Sequence, residues 1–103
     1  MENLENQLNK YQVTINFKMD EEGLKSLPEH RAYINELIEK NIIEYYSVSM
    51  ETMRVWMIIN AENKQEVEDY LLNSPLIDYW NYEIDELFLY DGQIYRLPSL
   101  QFN

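Results

Sequence analysis

With 103 residues, 46% of them hydrophobic, the chain has material for one core and too little for two ordinary domains. Its 19 acidic against 8 basic residues give a formal charge of -11, and no Lys/Arg cluster breaks that acidity, which excludes nucleic acid and anionic membrane surfaces as expected partners. The longest apolar runs, such as residues 56–59, fall far short of the ~20 needed to span a bilayer, no cysteine is present, and residues 1–10 lack the basic start and apolar stretch of a secretory signal, so a cytoplasmic, soluble protein is expected.

Residues 11–18 alternate strictly, Tyr11, Val13, Ile15 and Phe17 against Gln12, Thr14, Asn16 and Lys18, which predicts a strand with one buried face. Asp20, Glu21, Glu22 and Gly23 read as a connecting loop. Ser26-Leu27-Pro28-Glu29 has the form of a capping box and opens a helix to about Lys40, with Leu27, Ile34 and Ile38 on one stripe flanked by His30 and Leu37. Residues 42–50 and 54–61 are rich in branched and aromatic side chains and close enough for a hairpin. In the second of them Val55, Met57 and Ile59 share one face and Trp56 and Ile58 the other, so both faces must be covered.

Asn63 with Glu66 repeats the capping pattern and opens a second helix whose inward stripe is Val67, Tyr70, Leu71 and Ser74, ended by Pro75. A last strand is expected over about residues 81–91. Residues 92–103 include Ile94, Tyr95, Leu97, Leu100 and Phe102 and are expected to pack on the domain or on a partner subunit. One domain over 1–103 follows, with its core at about 11–91.

The order strand, helix, strand, strand, helix, strand predicts an α+β fold of ferredoxin-like βαββαβ type, an antiparallel four-stranded sheet with two helices on one face. The other face carries Trp56 and Ile58, and a second copy of the chain, sheet against sheet, is the expected cover, giving a homodimer.

Two segments carry a family resemblance. Leu27-Pro28-Glu29-His30-Arg31-Ala32-Tyr33-Ile34 is similar to the helix-one histidine segment of YCII-related proteins, and Leu71-Leu72-Asn73-Ser74-Pro75-Leu76-Ile77-Asp78-Tyr79 resembles the helix-to-strand passage of muconolactone isomerases. Over about residues 11–90 the chain therefore resembles the muconolactone-isomerase-like and YCII-related members of the dimeric α/β barrel superfamily. That resemblance implies a homodimer, sometimes assembled further, with a small-molecule cleft in each subunit between helix one and the sheet. For the isomerases it also implies cofactor-free proton transfer on a lactone or small organic acid. The chain departs from the pattern at Asn41, where glycine is usual, and at Glu44, Tyr45 and Tyr46, where basic residues are typical.

His30, the only histidine, is the candidate acid/base, because an imidazole exchanges protons near neutral pH. Its ordinary alternative is a partly buried histidine satisfied by a neighbour. Alternation sends one of Tyr45 and Tyr46 to the helix-covered face, where a phenol assists beside His30; packing alone is the alternative for both. Tyr11, Leu27, Ile34, Tyr79 and Trp80 are the candidate ligand-binding residues. Tyr79, Trp80 and Tyr82 cluster as a pocket wall or, equally, as dimer interface. Glu66, Glu68 and Asp69 read as a solvated helix face. One histidine without cysteine points away from a zinc site, and no cofactor is expected. The functional alternatives are a cofactor-independent isomerase and a non-catalytic homodimer that binds a small molecule or serves assembly.

Overall fold

The computed structural model describes residues 8–91; the expected packing of residues 92–103 lies outside them. The alternating segment forms β1 (Asn9–Phe17), with Tyr11, Val13, Ile15 and Phe17 buried. Residues 20–23 are not a loop but the start of a short helix, α1 (Glu21–Lys25), in which the Asp20 carboxylate accepts the Gly23 N–H at 2.9 Å. A carboxylate followed by more acidic residues suits a helix N-terminus as well as a turn, which is why composition misled. Gly23 is required by close approach: a Cβ there would lie 2.7 Å from Met19 Cγ and 3.0 Å from Tyr79 Cζ.

α2 (Leu27–Glu39) follows directly and buries His30, Ile34 and Leu37 at helical spacing. Ser26 stands at its N-cap without the expected hydroxyl cap, because its backbone is already helical and its N–H closes α1 on Gly23 O at 3.0 Å. At the other end, Ile42 N–H donates to Leu37 O and Asn41 N–H to Ile38 O, with Asn41 at φ 64°. This is a Schellman closure in which asparagine tolerates the left-handed position that glycine usually takes.

β2 (Ile43–Ser49) and β3 (Arg54–Ala61) form the hairpin, antiparallel, with a bulge between Ile43 and Tyr45. α3 (Lys64–Leu72) buries Val67 and Leu71; Asn63 caps the Glu66 N–H at 2.9 Å, while the Glu66 carboxylate reaches Glu62 N–H at 2.7 Å, one residue further back than a capping box. Glu68 is not simply solvated, since it accepts the Tyr82 hydroxyl at 2.7 Å. A 3-10 turn (Ile77–Tyr79) leads into β4 (Trp80–Glu86). β4 stops short of residue 91 because, among the described residues, its one partner is β1: Glu86 already pairs with Tyr11, and β1 begins at Asn9.

The sheet order is β2-β3-β1-β4 with every neighbouring pair antiparallel. Together with the three α-helices among the described residues this is an α+β architecture compatible with a ferredoxin-like fold. The core joins the inward residues of the strands to Ile34, Leu37, Val67 and Leu71 of the helices. On the opposite face stand Gln12, Thr14, exposed Tyr45, half-buried Trp56 and buried Ile58, with Asn81, Glu83 and Asp85 exposed along β4. After β4 the chain returns over this face: Leu87 N–H bonds to Lys10 O, and the Tyr90 ring lies under Lys10 Nζ at 5.1 Å and beside Tyr45 at 6.5 Å. Among the described residues no helix is long and apolar enough to cross a membrane.

Candidate functional site

Between the helices and the sheet, at the end of the layer where β1 finishes, lies a cavity of about 330 Å³. Its floor is Phe17 of β1, Val55 of β3, and Trp80 of β4; its far wall is Met19, Met53 and Leu76. Leu24 of α1, Leu27 of α2, Val48 of β2 and Met50 line it too and are themselves exposed, so the mouth is rimmed by apolar side chains. The lining residues among those described that carry a polar side-chain group are His30, Tyr46 and Trp80.

Helical spacing places His30 one turn after Leu27 and one before Ile34, so its ring enters the interlayer space and is only 5% exposed. The bulge decides which tyrosine meets it. Unbroken alternation from the buried Ile43 would turn Tyr45 inward, but the bulge puts one extra residue between them, so Tyr46, opposite Met57, faces the helices. His30 Nε2 lies 3.0 Å from the Tyr46 hydroxyl, and Nδ1 lies 2.9 Å from Ser74 Oγ. The Trp80 ring meets the imidazole edge-on, 5.5 Å between centroids at 82°.

Burial first, and then the adjacent Arg31 guanidinium, lower the His30 pKa to about 4. Burial raises that of Tyr46, opposed by the same arginine. Both groups are therefore neutral at physiological pH, and the pair presents a hydrogen-bonded hydroxyl and imidazole to an apolar space rather than a charge.

Of the sequence-predicted catalytic residues, His30 and Tyr46 come together, and Tyr45 lies 49% exposed on the opposite face against Tyr90. Tyr45 is thus separated from His30 by the thickness of the sheet. Of the expected ligand-binding residues, Leu27 and Trp80 line the cavity. Tyr11 and Ile34 do not: both are core residues, Tyr11 at the far end of β1 and Ile34 one turn beyond His30. Tyr79 borders an adjoining, more open depression of about 520 Å³ that shares Phe17, Met53 and Trp80 with the cavity and also takes in Asn16, Lys18, Asp78 and Asn81. That wider, more polar hollow lacks both His30 and Tyr46, so the smaller cavity is the candidate site.

Sequence reasoning placed Ser74 on an inward stripe but missed its role. The signal was a single small polar residue on an otherwise apolar helix face, which when buried must find a partner. The apolar rim and Met53 also went unnoticed. Met53 takes φ 56° in the hairpin turn, an uncommon conformation for its residue type, and lines the cavity. Among the described residues, no group of three or more His, Cys, Asp or Glu side chains converges to hold a metal ion. Compared with known proteins, the chain matches no family model and no curated protein.

Proposed function

We propose that this protein binds a compact, largely apolar small molecule in the cavity beside His30. The observation that carries the reading is the conjunction of an apolar space of about 330 Å³ with one hydrogen-bonded polar pair, His30 and Tyr46, on its wall. Pockets that bind small ligands combine these two features, area for affinity and a few polar groups for orientation. A thermal-shift screen of lactones, unsaturated acids, ketones and apolar ring compounds tests it. Stabilisation by members of the set, weakened in Leu24→Glu at the cavity mouth, is the expected result. No response from the native protein across the whole set would remove the reading.

The contact between His30 and Tyr46 favours a second reading, cofactor-independent proton transfer of the muconolactone-isomerase type. Tyr46 would exchange a proton with the ligand, and His30 would hold or return it. Against an efficient reaction stands the pKa of His30, lowered to about 4, which makes it a weak base near neutrality. Deuterium exchange into a bound lactone, lost in both His30→Ala and Tyr46→Phe, supports this reading; binding without exchange supports binding alone.

The same proposal includes a dimer, in which a second copy covers the sheet face that the helices leave bare. Half-buried Trp56 and exposed Tyr45 on that face support it. Trp56→Glu should give a monomer by light scattering, and a native protein that is already monomeric at high concentration would refute it.

A further inference from the structure

Resting on the reading that the cavity takes a ligand, the hydrogen-bond geometry behind it specifies what kind of polar group that ligand carries. Ser74 lies just after α3 and is 3% exposed. Its Oγ accepts the Leu76 backbone N–H at 3.0 Å and lies 2.9 Å from His30 Nδ1. Among the described residues, the hydroxyl hydrogen has that ring nitrogen as its one acceptor. Were Nδ1 to carry a hydrogen, Ser74 Oγ would accept twice, and its own hydrogen would be buried without a partner. With Nδ1 as acceptor, every group in the chain from Leu76 to His30 is satisfied.

A neutral imidazole that accepts at Nδ1 carries its hydrogen on Nε2. Nε2–H then donates to the Tyr46 oxygen at 3.0 Å. A phenol oxygen that accepts this bond still has its own hydrogen to give, and among the described residues nothing accepts it. Tyr46 lines the cavity, so that hydrogen is available to the cavity's contents. We propose that Ser74, as a positioning residue, holds His30 in the Nε2–H tautomer and so makes the Tyr46 hydroxyl a hydrogen-bond donor into the cavity, selecting ligands with a neutral accepting oxygen, a ketone, ester or lactone carbonyl.

The rest of the lining agrees with this class. Among the described residues no lysine or arginine lines the cavity, so a carboxylate would be desolvated without a counter-charge from them. An alcohol would bring a hydrogen of its own that, among the described residues lining the cavity, no side-chain oxygen other than that of Tyr46 is placed to accept. A carbonyl brings lone pairs alone and is the group that the site completes. Ligands lacking any oxygen would fill the same space without completing the hydrogen-bond chain.

Two measurements on the full chain test this. The first is the imidazole ¹⁵N spectrum at pH 7, which distinguishes Nε2–H from Nδ1–H without any ligand. The Nε2–H form is expected in the native protein. In Ser74→Ala the ring should move toward Nδ1–H as Tyr46 becomes the donor, and Ser74→Thr should restore the native form. A native ring in the Nδ1–H form overturns the proposal, and because this reading needs no variant, it holds even if Ser74→Ala does not fold. The second compares cyclohexanone with methylcyclohexane as probes, followed through the methyl signals of Leu76 and Val55. The ketone should bind roughly fivefold more tightly, an advantage reduced in Tyr46→Phe. Equal binding of both probes overturns the ligand class while leaving the cavity reading intact. Binding of neither overturns both.

Discussion

The two ends of the space between helices and sheet are lined by the same strands but filled differently. At the end where β1 starts, Tyr11, Ile43, Ile59, Ala61 and Val67 are at most 2% exposed, and the void left beside Ile59 and Leu37 is about 10 Å³. At the end where β1 finishes, Phe17, Val48, Val55 and Trp80 border about 330 Å³. The difference lies in what closes each end. Leu37 at the end of α2 and Val67 at the start of α3 plug the first. Among the described residues the second is closed by the five-residue α1, the hairpin turn, Met19 and Leu76, and the apolar side chains Leu24 and Met50 remain exposed. Close packing is therefore a property of half this layer, and the polar pair His30 and Tyr46 lies where it stops.

The largest effect that separates the halves is cavity creation. Ile59→Ala should cost about 4 kcal/mol by urea denaturation, because the filled end cannot collapse around the loss, whereas Val48→Ala at the exposed rim should cost less than about 1. Overpacking should divide them in the same way: Val67→Phe is expected to destabilise by about 2–3 kcal/mol, and Val55→Leu, which points one more methylene toward open space, by under about 1. Equal costs within either pair would erase the distinction.

A pH profile sharpens the contrast from the polar side. His30 has a pKa of about 4 in the folded protein against 6.5 when exposed, so on acidification the unfolded chain takes up the proton first. The histidine's contribution to stability is full above pH 6.5 and is lost as the pH falls from 6.5 to about 4. The full shift corresponds to about 3 kcal/mol, and because the ring borders a water-accessible cavity we expect about 2. His30→Gln should remove that part of the acid sensitivity and leave the part due to carboxylates. The smallest expected effect is at the tyrosines: Tyr46→Phe should cost about 1 kcal/mol by leaving His30 Nε2 without its hydroxyl partner, and Tyr45→Phe less than about 0.5.

How much of this was legible before the structure depends on how local the signal is. β1 and β3 follow from their own periodicity, since Tyr11 to Phe17 alternate, and α2 was legible as a helix but not in its buried face: of the expected stripe Leu27, Ile34 and Ile38 only Ile34 is buried, with the flanking His30 and Leu37, while Leu27 and Ile38 are exposed. α1 was misread because Asp20 to Gly23 suit a turn and a helix cap alike, and packing of Gly23 under Tyr79 settles the choice. The end of β4 was misplaced because alternation runs on through Tyr90, while pairing stops where β1 begins. His30 could be chosen as a candidate from its uniqueness and its place on the helix. Tyr11 and Ile34 could not be told from ligand-contacting residues, because a buried stripe looks the same whether it faces a core or a hollow.

The sequence by itself determined the four strands and the two longer helices, their order and the buried face of β1, because those depend on residue spacing along the backbone. Only the tertiary structure decided that Tyr46 rather than Tyr45 meets His30, that Ser74 stands behind the imidazole, and that one end of the core is open. Each of those outcomes depends on a bulge, or on contacts between residues as many as 44 positions apart, and no local pattern encodes the distance between two elements that pack against each other.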